Sequence, residues 1–334
     1  MNFAATLLQW FKNNGRSLPW RETKDAYAIW LSEVILQQTR IVQGMSYWER
    51  FMAQWPTVND LAAATENEVL KAWQGLGYYS RARNLHTAAQ QVVELGGFPQ
   101  TFKELKTLKG VGDYTAAAIA SIAFGEPVAV VDGNVYRVLS RYFGIDTPID
   151  STEGKKVFQA LAQSLLPINE PADYNEAIMD FGATQCTPNS PHCSACPLCE
   201  TCIAFREQRI NELPVKSKKV KQRERHFTYL YIEHEGKIAI HQRGAGDIWQ
   251  GLWEFPQVEQ LASSEDSAWE NEAQLLKKGV KHILTHQILL ADIYLWQPKN
   301  RPQLPSEFIW IEKQDLEDYA LPRLIEILLK VVPA

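Results

Sequence analysis

Apolar residues recur at three- and four-residue intervals over the N-terminal part of the chain, which is the spacing of amphipathic helices. Short breaks rich in glycine and proline separate these stretches. The clearest predicted helices span residues 26–37, 66–73, 80–95 and 114–123. From Met1 to about Ile210 the sequence therefore predicts a helical domain.

The pattern changes after residue 226. The sequence FTYLYIEHEGKIAIHQR has two runs of β-branched and aromatic residues around Glu235 and Gly236, which predicts a β-hairpin. Beyond it we predict a helix near residues 267–278, a strand at 282–296 and a last helix near 321–331. The expected fold class is α+β with two domains: a helical domain at 1–212, a basic linker at 213–226 and an α/β domain at 227–334.

Length and composition agree with this division. The chain has 334 residues, of which 46% are hydrophobic and 22% charged, as in globular proteins long enough for two domains. Its net charge of −5 excludes indiscriminate binding to nucleic acid through overall charge. The cations are concentrated in residues 216–225, KSKKVKQRER, whose net charge of +5 fits either a solvated linker or a nucleic-acid contact.

All the cysteines lie close together. Cys186, Cys193, Cys196 and Cys202 have the spacing C-x6-C-x2-C-x5-C, which suits one zinc ion or one four-iron cluster. Cys199 leaves a second set open, because Cys193, Cys196, Cys199 and Cys202 repeat at x2 spacing, resembling a ferredoxin run whose last gap is x3. Disulfides need an oxidising compartment, and the sequence has neither a signal peptide nor an uncharged run of about 18 residues. We therefore expect reduced, metal-binding thiols in a cytoplasmic protein, with thiols that merely fill space and disulfides as the alternatives.

A glycine turn precedes the predicted helix at 114–123. Gly110 and Gly112 in LKGVGDYTAAAIA lack side chains, so a phosphate can approach the backbone N–H groups and the positive end of the helix dipole. A packing turn has the same pattern, and no strand or third glycine completes a dinucleotide fingerprint.

Two isolated carboxylates are candidates for acid–base chemistry. Asp132 follows the apolar run VAVV, which suits a partly desolvated acid and also a helix N-cap. Glu33 lies on an otherwise apolar helix face with Leu36 and Gln37. Burial of Glu33 would raise its pKa, which a general acid working near neutral pH requires.

Taken in order, these segments resemble the helix-hairpin-helix DNA glycosylases that carry an iron–sulfur cluster, and within them the MutY adenine DNA glycosylases. The shared motifs are LPWR at 18–21, SEVILQQTR at 32–40, GLGYYSRARNL at 75–85, GVGDYTA at 110–116, VDGNVYRV at 131–138 and NEAIMDFGATQC at 175–186. The resemblance implies a monomeric hydrolase that removes adenine opposite 8-oxoguanine or guanine in double-stranded DNA. It also implies a [4Fe–4S] cluster on Cys186, Cys193, Cys196 and Cys202.

The resemblance assigns roles to single residues. Glu33 is expected to protonate the adenine, and Asp132 to stabilise the positive charge that develops on the sugar. Tyr114 stands where lyase relatives have a lysine nucleophile, so no Schiff base is expected. Tyr114 and Asn134 are expected to position Asp132 and the sugar. The expected substrate-binding residues are Arg21, Trp20, Arg16, Leu36 and Glu176 near the base, Gln37 and Tyr78 as wedges, and Gly110 and Gly112 in the hairpin.

The second domain resembles the Nudix fold. It lacks the metal-binding REXXEE cluster after GLWEFP, so the resemblance implies recognition of 8-oxoguanine and not hydrolysis by this domain. Leu284, Thr285 and His286 align with the Phe-Ser-His triplet that reads the lesion, unless they are strand residues without a special role. Two other functions stay open: a glycosylase for thymine opposite guanine, and a non-catalytic iron–sulfur DNA-binding protein.

Overall fold

The computed structural model describes residues 2–217, 222–261 and 269–333. The contacts within the chain define two compact units. One comprises Met1–Ala62 and Thr87–Lys218, and the other comprises Ala63–His86 and Lys219–Ala334. Residues 63–86 thus belong to the same unit as the C-terminal strands, while the domain boundaries expected from the sequence stay a prediction.

Up to residue 217 the described chain is built from helices. They are α1 (Phe3–Asn14), α2 (Ala26–Leu36), α3 (Ile41–Gln54), α4 (Val58–Ala63), α5 (Glu66–Trp73), α6 (Ser80–Glu94), α7 (Phe102–Leu105), α8 (Asp113–Phe124), α9 (Gly133–Phe143), α10 (Thr152–Leu165), α11 (Pro171–Thr184) and α12 (Ile203–Arg206). The four helices expected from apolar spacing are confirmed as α2, α5, α6 and α8. Within the described residues, none of the helices combines the length and apolar character needed to cross a membrane.

Two apolar clusters organise the first unit. In one, Ile29 of α2 packs with Ala117 and Ile122 of α8. The other cluster joins α1, α9 and α11 through side chains such as Leu7, Leu139 and Phe181. The small alanine side chains of α8 are buried and let α2 approach closely. This packing fixes the relative positions of the helices that carry the candidate site.

The second unit contains a mixed sheet. Its strands are β1 (Arg223–His234), β2 (Lys237–Gln242), β3 (Trp253–Glu254), β4 (Gln274–Ile283), β5 (Gln287–Trp296) and β6 (Phe308–Glu312), with helices α13 (Val258–Leu261), α14 (Trp269–Glu272) and α15 (Arg323–Leu329). The strand order is β3-β2-β1-β5-β4, and β6 pairs with β2. β1 and β5 run parallel, whereas the other paired strands are antiparallel.

The hairpin expected around Glu235 and Gly236 is confirmed as β1 and β2. Both turn residues have positive φ, 50° for Glu235 and 78° for Gly236. A two-residue turn with positive φ at both positions matches the right-handed twist of the strands it joins. The last expected helix is confirmed as α15.

The helix expected near residues 267–278 is wrong over its C-terminal part. Residues 262–268 lie outside the described residues, α14 ends at Glu272, and β4 follows from Gln274. β4 pairs with β5 and packs Leu276 and Val280 against the core of the unit. Pairing with β5 decides the conformation, and that partner is not visible in the local sequence. The single strand expected at 282–296 is likewise divided by a turn at 284–286.

The basic segment 216–225 is described only in part. Residues 218–221 lie outside the described residues, and β1 begins at Arg223. Arg225 donates two hydrogen bonds to the carboxylate of Asp247, at 2.6 and 2.8 Å. The end of the basic segment is therefore part of the sheet.

Candidate active site

One cavity of about 630 Å³ in the first unit collects nine of the residues singled out in the sequence. Those that line it are Arg16, Trp20, Arg21, Glu33, Leu36, Tyr114, Asp132, Asn134 and Glu176. They come from the segment before α2, from α2, from the N-terminal ends of α8 and α9, and from α11. A cavity of this volume suits a small organic group.

Glu33 is the buried acid of the cavity. The residue is 8% exposed, and the Tyr114 hydroxyl donates a hydrogen bond to its Oε2. Burial raises the pKa of Glu33 to about 7, against the hydrogen bond from Tyr114, and the negative charges of Asp132 and Glu176 add to the rise. Near neutral pH the protonated and ionised forms of Glu33 are both populated, so this side chain can deliver a proton.

Asp132 combines the two roles that the sequence suggested. It is the N-cap of α9, where Oδ1 accepts from the Val135 N–H at 2.8 Å, so the N-cap interpretation is confirmed. Oδ2 accepts from the Asn134 side-chain amide at 2.7 Å. Burial raises the pKa of Asp132, and the hydrogen bonds from Val135 and Asn134 oppose that rise. The carboxyl group is therefore held in one orientation inside the cavity.

Arg137 was not among the residues predicted from the sequence, and it fixes Asn134. Its Nη2 donates to Asn134 Oδ1 at 2.8 Å and to the Gly182 carbonyl at 2.6 Å, and its Nε donates to the Cys186 carbonyl at 2.7 Å. α9 and α11 meet closely here, because a Cβ on Gly182 would lie 2.6 Å from the Cβ of Asn134. The only local signal for Arg137 is its place three residues after Asn134 on the same helix face.

A second charged group lies on the α11 side of the cavity. Arg21 Nε lies 3.6 Å from Glu176 Oε1, and Arg21 Nη2 lies 3.2 Å from Asp180 Oδ1. Burial raises the pKa of Glu176, and the charge of Arg21 opposes the rise. Asp180 was also missed, although it follows Glu176 by four residues and so shares its helix face.

The glycine turn and Gln37 lie outside the cavity lining. Gly110 has φ 75°, a conformation that favours glycine, and Gly112 is the N-cap of α8. Gln37 donates from Nε2 to Thr115 Oγ1 at 3.1 Å, which ties it to α8. The next residue, Gln38, is exposed and has φ 61°. The DNA-binding roles of Gln37, Gly110 and Gly112 stay predictions.

In the second unit, the predicted wedge residue Tyr78 meets the predicted recognition residue Thr285, although 207 positions separate them in the sequence. The hydroxyls of Tyr78 and Thr285 lie 2.5 Å apart. Tyr78 has φ 47° and is 50% exposed, whereas Tyr79 is buried in the core. Thr285 and His286 are exposed in the turn between β4 and β5 rather than in a strand, and Leu284 packs against the core.

The five cysteines line one pocket together with apolar side chains that include Val138, Phe181 and Leu198. Arg141 Nη1 lies 3.5 Å from Cys186 Sγ, and burial raises the pKa of Cys196 to about 12. Among the described residues, no three His, Cys, Asp or Glu side chains converge closely enough to hold a metal ion. The chemistry of these side chains nevertheless fits a thiolate-bound metal, because soft cysteine sulfur atoms lie beside the buried guanidinium of Arg141.

Comparison with known proteins defines the class. Residues 31–166 match the sequence profile of the HhH-GPD superfamily base excision DNA repair proteins, and residues 228–331 match that of the NUDIX domain. The structure of a thermostable thymine-DNA glycosylase aligns with a TM-score of 0.57 and 32% identity, over 61% of this chain and 95% of that chain. A trapped endonuclease III–DNA covalent intermediate, at 23% identity and a TM-score of 0.53, shares the fold over 61% of this chain and 95% of that chain. The chain is a DNA N-glycosylase, a hydrolase with an HhH-GPD domain and a Nudix-like domain.

Relatives that match most of the chain narrow the identification to one family. The adenine DNA glycosylase of Buchnera aphidicola subsp. Schizaphis graminum is 30% identical over 98% of each chain. The human adenine DNA glycosylase is 37% identical over 83% of this chain, which spans 60% of the human protein. The chain belongs to the adenine DNA glycosylase family, so the family and the two-domain fold class expected from the sequence are confirmed.

Proposed function

We propose that this protein removes adenine that is mispaired with 8-oxoguanine or with guanine in double-stranded DNA, as the first step of base excision repair. The observation that carries the proposal is the pair of carboxyl groups in one cavity, with the pKa of Glu33 at about 7 and Asp132 held by N–H donors. The adenine activity named for the relatives supports the choice of base. We infer a monomer that works on DNA inside the cell.

Excision requires that the adenine leave the base stack, at a cost of a few kcal/mol that a mispair reduces. Glu33 then donates its proton to the adenine, with N7 the expected site, and the base leaves with the electrons of the glycosidic bond. Asp132 stabilises the positive charge on the sugar, and water adds there with loss of a proton. Tyr114 was expected to position Asp132, but its hydroxyl donates to Glu33, so we assign it to orienting Glu33. We assign Asn134, whose amide donates to Asp132, to orienting that carboxylate.

The remaining lining groups would bind the base. Arg21 and Glu176 supply a hydrogen-bond donor and an acceptor within the cavity. Trp20 and Leu36 supply apolar walls, and Arg16 is also part of the lining. We assign Gln37 and Tyr78 to the gap that the base leaves in the duplex. The exposed position of Tyr78 supports this role more directly than the position of Gln37 does, because the side-chain amide of Gln37 donates a hydrogen bond to Thr115.

We also propose that Cys186, Cys193, Cys196 and Cys202 hold a [4Fe–4S] cluster, as the family resemblance implies. Bound there, the cluster would cross-link the loop that contains the cysteines. It would take no part in the hydrolysis. Cys199 lines the same pocket but stands outside this ligand set.

We expect the purified protein to contain about four iron and four acid-labile sulfide atoms per chain. Cys193→Ser should lose this content because it removes one thiolate ligand, whereas Cys199→Ser should keep it. Iron, sulfide and zinc analysis checks both variants. Zinc in place of iron would contradict the cluster, and the reverse pattern of the variants would contradict the ligand set.

The function itself is tested with three duplexes that contain A opposite 8-oxoguanine, A opposite G, and T opposite G. Release of adenine from the first two, with the third unchanged, is the expected result. Release of thymine would favour the alternative suggested by the thymine-DNA glycosylase structure, which matches only 61% of this chain. Binding without release of either base would leave a non-catalytic DNA-binding protein.

Product DNA should keep an intact strand at the abasic site until it is treated with alkali. Tyr114 occupies the position of the lyase lysine, and no lysine is found among the described residues that line the cavity. Borohydride should therefore trap little covalent adduct, because no amine is placed to form an imine. Efficient trapping in a single turnover would show that another lysine is the nucleophile.

Recognition of the opposite base should depend on the turn between β4 and β5. Thr285→Ala combined with His286→Ala should raise the Kd for the 8-oxoguanine duplex by about tenfold and leave that for the guanine duplex nearly unchanged. Tyr78→Phe keeps the ring but removes the hydroxyl that contacts Thr285, and so isolates that contact. His226→Ala, an exposed histidine on β1, is the matched control. Equal weakening for both duplexes would mean general DNA contact or folding.

A further inference from the structure

Asp180 is the most completely buried charge near the candidate active site. Its side chain has 0% exposure and lies on α11. Its Oδ2 accepts from the Arg16 backbone N–H at 3.0 Å, and its Oδ1 accepts from Arg16 Nε at 2.6 Å, from Arg16 Nη2 and from Arg21 Nη2. Burial raises the pKa of Asp180, but hydrogen bonds from Arg16 and the charge of Arg21 outweigh it and leave the pKa below its ordinary value. Asp180 is therefore an ionised anchor.

The anchor holds both ends of a segment that lines the cavity. Arg16, Leu18, Trp20 and Arg21 all contribute to the lining, and Asp180 binds the first and the last of them. Arg21 also donates from Nη1 to the Arg16 carbonyl at 2.9 Å, so the two ends of the segment are tied to each other. Loss of the anchor would release both arginines together.

The contacts of Arg21 involve all three guanidinium nitrogens. Nη2 binds Asp180, Nη1 binds the Arg16 carbonyl, and Nε faces Glu176 at 3.6 Å. The guanidinium also lies over the ring of Phe11, 5.1 Å from its centroid. Because the guanidinium is planar, fixing Nη1 and Nη2 determines where Nε points. Asp180 thereby sets the orientation of the donor that faces Glu176 inside the cavity.

We propose that Asp180 is a positioning residue for base excision, which holds Arg21 against Glu176 on the base-binding side of the cavity. This inference rests on the proposed function. The competing explanation is that Asp180 only fastens the segment before α2 to α11 and contributes stability. The two explanations differ in what happens to the rate of excision in molecules that remain folded.

The test measures single-turnover excision at saturating protein, together with the Kd for a duplex with A opposite 8-oxoguanine. Asp180→Asn removes the charge at nearly constant shape, and we expect the rate to fall by about tenfold or more while the Kd changes little. Asp180→Glu, which restores a carboxylate, should recover part of the rate. Leu7→Ala is the matched control: it opens a cavity in the core shared by α1 and α11, so it should lower the melting temperature without lowering the rate of the folded protein.

A double-mutant cycle identifies the residue through which Asp180 acts. In an Arg21→Gln background, Asp180→Asn should have little further effect on the rate, because the group that it positions is already gone. Additive losses would overturn the proposal, as would a wild-type rate for folded Asp180→Asn. If Asp180→Asn does not fold, Arg21→Lys provides a second test, because it keeps the positive charge but replaces the planar guanidinium by one ammonium group. An undiminished excision rate in Arg21→Lys would also overturn the proposal. Lack of excision by the wild-type protein would instead refute the proposed function.

Discussion

Asp132→Asn should nearly abolish excision of adenine, with a loss of about a thousandfold or more, while mismatched DNA still binds. The substitution removes the negative charge that stabilises the developing charge on the sugar. It keeps a side-chain oxygen that can accept from the Val135 N–H, and asparagine is as good an N-cap as aspartate, so α9 should remain intact. Single-turnover excision rates and duplex Kd values measure the two effects separately.

A matched control for this variant is available in the same unit. Asp25 is the N-cap of α2, where it accepts from the Tyr27 N–H at 3.0 Å, and it does not line the cavity. Asp25→Asn makes the same chemical change at the same kind of position and should leave excision close to wild type. A near-wild-type rate for Asp132→Asn would remove Asp132 from the mechanism.

Glu33→Gln should lower excision by about a hundredfold or more, because the amide cannot deliver a proton to the base. Its oxygen can still accept the hydrogen bond from Tyr114, so the shape of the cavity should persist. The wild-type rate should fall as the pH rises through about 7, because Glu33 then loses the proton that it donates. In Glu33→Gln that fall should be absent.

Rates measured across this pH range for both proteins check the assignment. Glu126→Gln serves as the control, since Glu126 is partly buried and accepts from the Phe102 N–H at 2.5 Å, outside the cavity. This variant should retain the wild-type rate and its pH dependence. If Glu33→Gln keeps the same decline near pH 7, a different group is the acid.

Local sequence was sufficient where one element decides its own structure. The helices α2, α5, α6 and α8 follow from apolar spacing, and the β1–β2 hairpin follows from two runs of β-branched and aromatic residues around Glu235 and Gly236. The helix predicted over the start of β4 was wrong because the conformation of these residues depends on pairing with β5. Taken alone, the same residues also fit a helix. The sequence order of motifs was enough to recognise the family, since each motif adds specificity to the others.

The sequence by itself therefore determined the class of protein and singled out Glu33 and Asp132 as its candidate carboxylates. Only the tertiary structure decided that both line one cavity, that burial raises the pKa of Glu33 to about 7, and that Tyr78 meets Thr285. Arg137 and Asp180 came from the structure, because the contacts that identify them join different elements: Arg137 donates to the Cys186 and Gly182 carbonyls, and Asp180 accepts from Arg16. The physical reason is that hydrogen bonds and burial depend on neighbours distant in the chain, whereas apolar spacing and turn chemistry depend on residues close together in the sequence.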